Sequence, residues 1–172
     1  MAFLSHLVIE PQNRFQDKSY LQGQPIEEIE RLAASCYQEV IGPRLSSRGR
    51  ECVRQHQAQG HQIIILTGSL YCLMLPLQED LQADWLIATR LAKENHHFTG
   101  KIIGLHPRGE NKLYLVRELA RSQDLDLSKS YAYGDHIQDV PLFLNVGHPV
   151  AVNPTPRLKR LAPRYQWPIR YF

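Results

Sequence analysis

Tyr133-Gly134-Asp135-His136-Ile137-Gln138-Asp139 follows a β-like run, Ser130-Tyr131-Ala132-Tyr133, and precedes the apolar segment Val140-Pro141-Leu142-Phe143-Leu144. Two carboxylates four residues apart, at the carboxyl end of a buried strand, suit a hard cation. Mg2+ takes oxygen ligands, few of them from protein and the rest from water and phosphate. Gly134 leaves out a side chain where a ligand or a second backbone would approach. Alone, a Gly-Asp-x-x-x-Asp run serves equally as a turn and helix cap. Its company narrows the reading. The run Ile63-Ile64-Ile65-Leu66 ends in Thr67-Gly68, and a helix opening near Gly109 carries Lys112 in its first turn. Thr67 and the following amides suit phosphate oxygens, Lys112 offsets negative charge on a phosphoryl group, and Asp135 suits Mg2+; together these are the parts of a phosphoryl-transfer site. Plainer readings stand beside these: Thr67 as a cap of the next helix, Lys112 as a solvated lysine, Asp139 as a helix cap. Ser69 reads as the N-cap of the helix that follows it.

The elements that would position these groups alternate along the chain. Gln24-Pro25 opens a helix, with Glu27, Glu28 and Glu30 where the helix dipole favours anions. Ile29, Leu32, Ala33, Cys36, Tyr37 and Val40 give it an apolar stripe, and Gly42-Pro43 stops it. A second helix is expected from about Ser47 to Gln59, closed by Gly60. The β-branched run after it lacks alternation, as in a parallel strand buried on both faces. Further expectations are a helix from Ser69 to Asp80, a strand over 85–89 turning back into 98–104, and a helix over 109–122. Strands over 130–133 and 147–152 and helices over 141–145 and 155–161 complete the pattern. Alternating helix and strand point to an α/β fold with a mostly parallel sheet.

Composition excludes several classes. At 172 residues with 43% hydrophobic and 22% charged content, the chain suits one globular domain with a small appendage. The net charge of +3 is spread thinly. The one basic cluster, Arg157, Lys159, Arg160 and Arg164, reads as a solvated helix face and not as a nucleic-acid surface. Ile63–Leu77 is too short and interrupted to span a bilayer, so no membrane is expected. Three scattered cysteines, Cys36, Cys52 and Cys72, and no signal peptide suggest reduced thiols in the cytoplasm. The eight histidines show no metal-ligand spacing.

In its motif order the chain resembles the haloacid dehalogenase superfamily, and most closely its phosphoserine-phosphatase-like branch. The resemblance runs from about Tyr20 to Ile169. It rests on Ile63–Ser69 as the second motif, Gly109-Glu110-Asn111-Lys112 as the third and Tyr133–Asp139 as the fourth, with Gln59-Gly60-His61 and Gly147–Pro154 alongside. It implies a Rossmann-like three-layer fold, with residues 1–45 as a partial helical cap and 46–172 as the core. It also implies a small phosphorylated metabolite as substrate and Mg2+ as cofactor. Thr67 and Lys112 would be the catalytic residues, Thr67 with Gly68 binding the phosphoryl oxygens and Lys112 positioning the nucleophile and phosphate; Asp135 would ligate Mg2+, and Asp139 would support the metal site or Lys112.

The family's first motif, a hydrophobic strand ending in D-x-D-G-[TS], is not found; the only Asp before residue 80 is Asp17. Its first Asp is the nucleophile that forms the aspartyl-phosphate. By the resemblance, the central strand of the sheet is expected to be missing and to precede Met1. Three arrangements are then open: a longer protein that carries the motif, a short replacement strand from Phe3–Ile9, or closure of the two flanking strands. Glu10 is a poor stand-in for the nucleophile. An unfilled inner edge would favour pairing between copies. The expected function is a Mg2+-dependent phosphomonoester hydrolase, inactive as this sequence stands; the alternative is a non-catalytic relative that binds a phosphorylated ligand or a partner protein.

Overall fold

The computed structural model of the chain describes residues 2–4 and 18–172, with side chains from Lys18 onward. Strand β1 (Ala2–Leu4) and helix α1 (Ile26–Cys36) come first; α1 runs on through a π-helical turn over Tyr37–Ile41. Helix α2 (Ser47–Ala58) starts where the Ser46 side chain accepts a hydrogen bond from the Gly49 amide. Strand β2 (Ile63–Leu70), helix α3 (Tyr71–Asp80), and the hairpin of β3 (Trp85–Glu94) and β4 (His97–Ile103) follow. The second half alternates α4 (Glu110–Ser122), β5 (Tyr131–Gly134), α5 (Val140–Phe143), β6 (His148–Val152) and α6 (Pro156–Leu161), and ends in β7 (Ile169–Arg170).

Among the described residues seven strands form one sheet in the order β4-β3-β2-β1-β5-β6-β7, parallel except for the hairpin. The continuous apolar run of β2 is explained by two cores. Its side chains alternate across the sheet. Ile63 and Ile65 join Tyr37, Val53, Met74 and Leu77 on the face covered by α2 and α3. Ile64 and Leu66 join Val116, Leu142, Phe143 and Leu158 under α4, α5 and α6. This is the expected three-layer α/β arrangement. A third, smaller core of Leu21, Leu91 and Phe98 seats α1 against the hairpin through Ile26 and Ile29.

Four expectations need correction. The central slot is filled: β1 pairs in parallel with both β2 and β5, Leu4 lying opposite Ile65 and Tyr133. The replacement-strand arrangement is therefore the one adopted, although the rest of the 3–9 segment, Glu10 and Asp17 lie outside the described residues. Ala2–Leu4, within the span expected as cap, belongs to the core sheet. The helix after β2 begins at Tyr71, so Ser69 lies within the strand and caps nothing; the strand register shifts between Leu66 and Leu70. Strand β7 was not expected at all, since two residues after Pro168 carry no periodicity.

Gly147, at the entry to β6, is required by space: a Cβ built there would stand 1.7 Å from the Ser128 carbonyl oxygen. The basic residues of α6 are exposed while Leu158 between them is fully buried, so that cluster is a solvated helix face.

Candidate phosphate site at the strand ends

Ile65 and Tyr133 both lie opposite Leu4, so Thr67 and Asp135, each two residues further on, fall toward the carboxyl ends of the strands flanking β1. Two strand spacings, roughly 10 Å, separate β2 from β5. The carboxyl ends of parallel strands are where such sheets bind ligands.

Thr67 is buried in the irregular stretch of β2. Its Oγ1 accepts from the Ser69 amide at 3.1 Å, which leaves the hydroxyl hydrogen for another acceptor. Thr67 is no helix cap, since the helix starts four residues later with Leu70 as its N-cap. The carbonyl of Gly68 accepts from Thr89 Oγ1 at 2.7 Å, and Thr89 Oγ1 also lies 2.7 Å from His106 Nδ1.

Lys112 is not a solvated lysine. Its side chain is 4% exposed, and Nζ donates to Asp139 Oδ1 at 2.8 Å. Asp139, fully buried, accepts from the His136 amide on Oδ2 at 3.2 Å. Both carboxylate oxygens of Asp139 are thus engaged within the protein, one on the ammonium and one as the capping interaction of the loop. Lys112 reaches this position from the first turn of α4. The N-cap Gly109 has φ +53° and ψ −128°, a backbone state that favours glycine, and a Cβ there would meet nothing within 4 Å, so conformation and not crowding sets the requirement.

Asp135 follows β5 with Oδ1 buried. Its backbone carbonyl accepts from both the amide (2.8 Å) and the hydroxyl (3.1 Å) of Thr155, which tie the loop to the start of α6. A cation here would meet the Asp135 carboxylate, and among the described residues no group of three or more His, Cys, Asp or Glu side chains is placed to hold a metal. That donor set fits Mg2+, which binds through one or two carboxylates and completes its shell with waters and phosphate oxygens.

Sequence reasoning did not find three of the groups around this site. Thr89, His106 and Arg108 come from the hairpin and the loop after it; Arg108 Nε donates to Gln138 Oε1 at 3.0 Å and so joins that loop to the one after β5. Thr89 carried a signal, as the polar end of an otherwise apolar strand run.

A second polar cluster lies on the α2 face. His56 Nδ1 is 2.8 Å from His61 Nδ1, and His56 Nε2 is 2.7 Å from the Tyr133 hydroxyl, with the Tyr131 ring packed alongside. Burial, with the charges of His61 and Arg170, holds the His56 imidazole down to about 4. Burial likewise pushes the Tyr133 phenol up. Both histidine rings also pack against the Tyr131 ring.

A family model described as haloacid dehalogenase-like hydrolase matches residues 13–144. The chain is 33% identical over 152 residues to the inhibition of morphological differentiation protein of Streptomyces azureus, covering 88% of this chain and 54% of that one. It is 31% identical over 154 residues to a phosphoserine phosphatase of Mycobacterium tuberculosis, covering 90% and 50%. A crystal structure of a protein of unknown function from Bordetella pertussis is similar with a TM-score of 0.82 at 28% identity, covering 87% of this chain and 69% of that one. The chain spans about half the length of these two sequence relatives.

Proposed function

The chain belongs to the haloacid dehalogenase-like hydrolases, and from that premise we propose that it binds the phosphoryl group of a small phosphorylated metabolite together with Mg2+. The observation that carries this reading is the buried Lys112–Asp139 pair, a charge held dry behind the strand ends. Thr67 and the Gly68 amide would take phosphoryl oxygens, Lys112 would offset their charge, and Asp139 would hold Lys112 in place. Asp135 would hold Mg2+, which when bound neutralises charge on the phosphoryl oxygens. A carboxylate so placed repels a phosphate dianion unless a cation stands between them, so metal and phosphate should each strengthen the binding of the other. Phosphoserine is a candidate ligand from the likeness to the Mycobacterium relative.

The site is of a phosphomonoester hydrolase type, yet hydrolysis through an aspartyl-phosphate needs a carboxylate after β1. The sequence reads Ser5-His6 there and holds no D-x-D-G-[TS] anywhere. We expect these 172 residues to bind and not to turn over, the behaviour of a non-catalytic relative that recognises a phosphorylated ligand. Three free cysteines suit a reducing compartment, and a cytoplasmic location goes with this reading. Among the described residues no helix is long and apolar enough to cross a membrane. An aryl phosphate assayed with Mg2+ tests the reading. No turnover is expected; robust turnover that disappears in Asp135→Ala would show that another nucleophile serves.

A further inference from the structure

We propose that His106 and Thr89 are positioning residues for the hydroxyl of Thr67, acting through a one-way relay of hydrogen bonds that ends at the bound phosphoryl group. The inference rests on the proposed reading of Thr67 as a phosphoryl ligand and identifies what orients it.

The direction of the relay follows from counting hydrogens. Thr89 Oγ1 has one hydrogen and two close neighbours, the Gly68 carbonyl oxygen at 2.7 Å and His106 Nδ1 at 2.7 Å. A carbonyl cannot donate, so the hydroxyl hydrogen lies on the Gly68 side. His106 must then bring its own hydrogen on Nδ1 and donate it to Thr89. The Gly68 carbonyl and the Ser69 N–H are opposite ends of one planar peptide unit. Thr89 holds one end of that plane, and Thr67 Oγ1 accepts from the other at 3.1 Å. With that acceptance made, the hydroxyl hydrogen of Thr67 is left to donate outward. Each group in the series donates to the next, an arrangement in which bonds polarise one another in the same sense. Thr89 is 1% exposed and Thr67 7%, so water does not compete readily along the relay.

The far end is anchored as well. The backbone carbonyl of His106 accepts from the Arg108 amide at 2.8 Å and from Asn111 Nδ2 at 3.1 Å. His106 therefore ties the loop that delivers Lys112 to the strand that delivers Thr67. One residue thus stands behind both of the groups proposed to face phosphate.

Two measurements on the 172-residue chain test this. The first is the 15N spectrum of the histidine rings. His106 is expected with its hydrogen on Nδ1 in the native chain, and Thr89→Val should release that preference. The second is calorimetric titration with inorganic phosphate in the presence of Mg2+. Thr89→Val, which keeps the shape and loses the hydroxyl, should weaken phosphate binding roughly tenfold. Thr89→Ser, which keeps the hydroxyl and loses shape, should bind nearly as the native chain does, and His106→Asn, which retains a donor near Nδ1, should fall between. A packing role predicts the reverse order for the two Thr89 variants, and that order would overturn the proposal, as would a native His106 with its hydrogen on Nε2. If the native chain binds no phosphate, the reading of the site fails, and the tautomer of His106 alone then decides whether the relay exists.

Discussion

Two carboxylates, Asp80 and Asp139, each hold an ion pair with a side chain from a helix, and their surroundings differ sharply. Asp80 receives Arg50 at 2.7 Å and the Tyr37 hydroxyl, with the Arg50 and Asp80 side chains about a third exposed, 31% and 32%. Asp139 receives Lys112 at 2.8 Å with 0% and 4% exposure. The first cluster fastens the end of α1's helical run, α2 and α3 to one another; Arg50 holds the Asp80 carboxyl below its usual range, and burial with the Asp80 bond pushes the Tyr37 phenol up to about 12. The second stands behind the strand ends. A half-wet pair contributes little and costs little. A dry pair gives up the hydration of two ions, and replacing both partners by apolar residues is often neutral or stabilising. Neither pair is therefore explained by a large net gain in stability, and the dry Lys112–Asp139 pair is the one that the proposed phosphate site would use.

Breaking one partner of the dry pair should have the largest effect. Lys112→Ala leaves a buried carboxylate uncompensated and is expected to cost about 3–5 kcal/mol in chemical denaturation. The double variant Lys112→Met with Asp139→Leu sharpens the comparison: stability should return to within about 1–2 kcal/mol of the native chain while phosphate binding stays lost. A double variant that binds phosphate would mean the pair is structural only.

The His56 cluster comes next, through pH. His56 faces His61 in the loop after α2, Tyr131 and Tyr133 on β5, and the charge of Arg170 on β7. Its folded value near 4 lies below the ordinary 6.5, so above pH 6.5 it is neutral in both states and costs nothing. As pH falls from about 6.5 to about 4 the unfolded chain takes up the proton first, and stability should drop by up to about 3 kcal/mol before levelling. Melting curves across that window check this, and His56→Gln should flatten them.

On the wet side, Asp80→Ala is expected to cost about 1–2 kcal/mol, with phosphate binding unchanged. The smallest effect belongs to the exposed Arg54–Glu51 pair one helical turn apart, where Glu51→Gln should change stability by no more than about 0.5 kcal/mol. A loss of phosphate binding in either variant would erase the distinction between the two clusters.

The sequence made much of this visible, for reasons that differ residue by residue. Ile63–Leu66 announced a strand buried on both faces because no polar residue interrupts it. Gly134-Asp135 and Gly109–Lys112 could be picked out as candidate site segments because a loop's chemistry is local in sequence. Ala2–Leu4 was legible only as one of three open arrangements, a short strand from Phe3–Ile9: three residues set no period, and their place between β2 and β5 is fixed by pairing partners some 60 and 130 residues away. Ser69 was misread because the bulged end of β2 keeps strand pairing past Gly68 to Leu70. The Thr89–His106 contact crosses a hairpin, and Lys112 meets Asp139 across 27 positions, so only the folded chain shows whether either side chain is solvated.

The most direct measurement is a calorimetric titration of the chain with inorganic phosphate, with and without Mg2+, alongside Asp135→Ala. Phosphate binding that tightens with Mg2+ and loses that dependence in Asp135→Ala is the predicted result. Binding indifferent to both Mg2+ and Asp135, or no binding at all, would contradict the account.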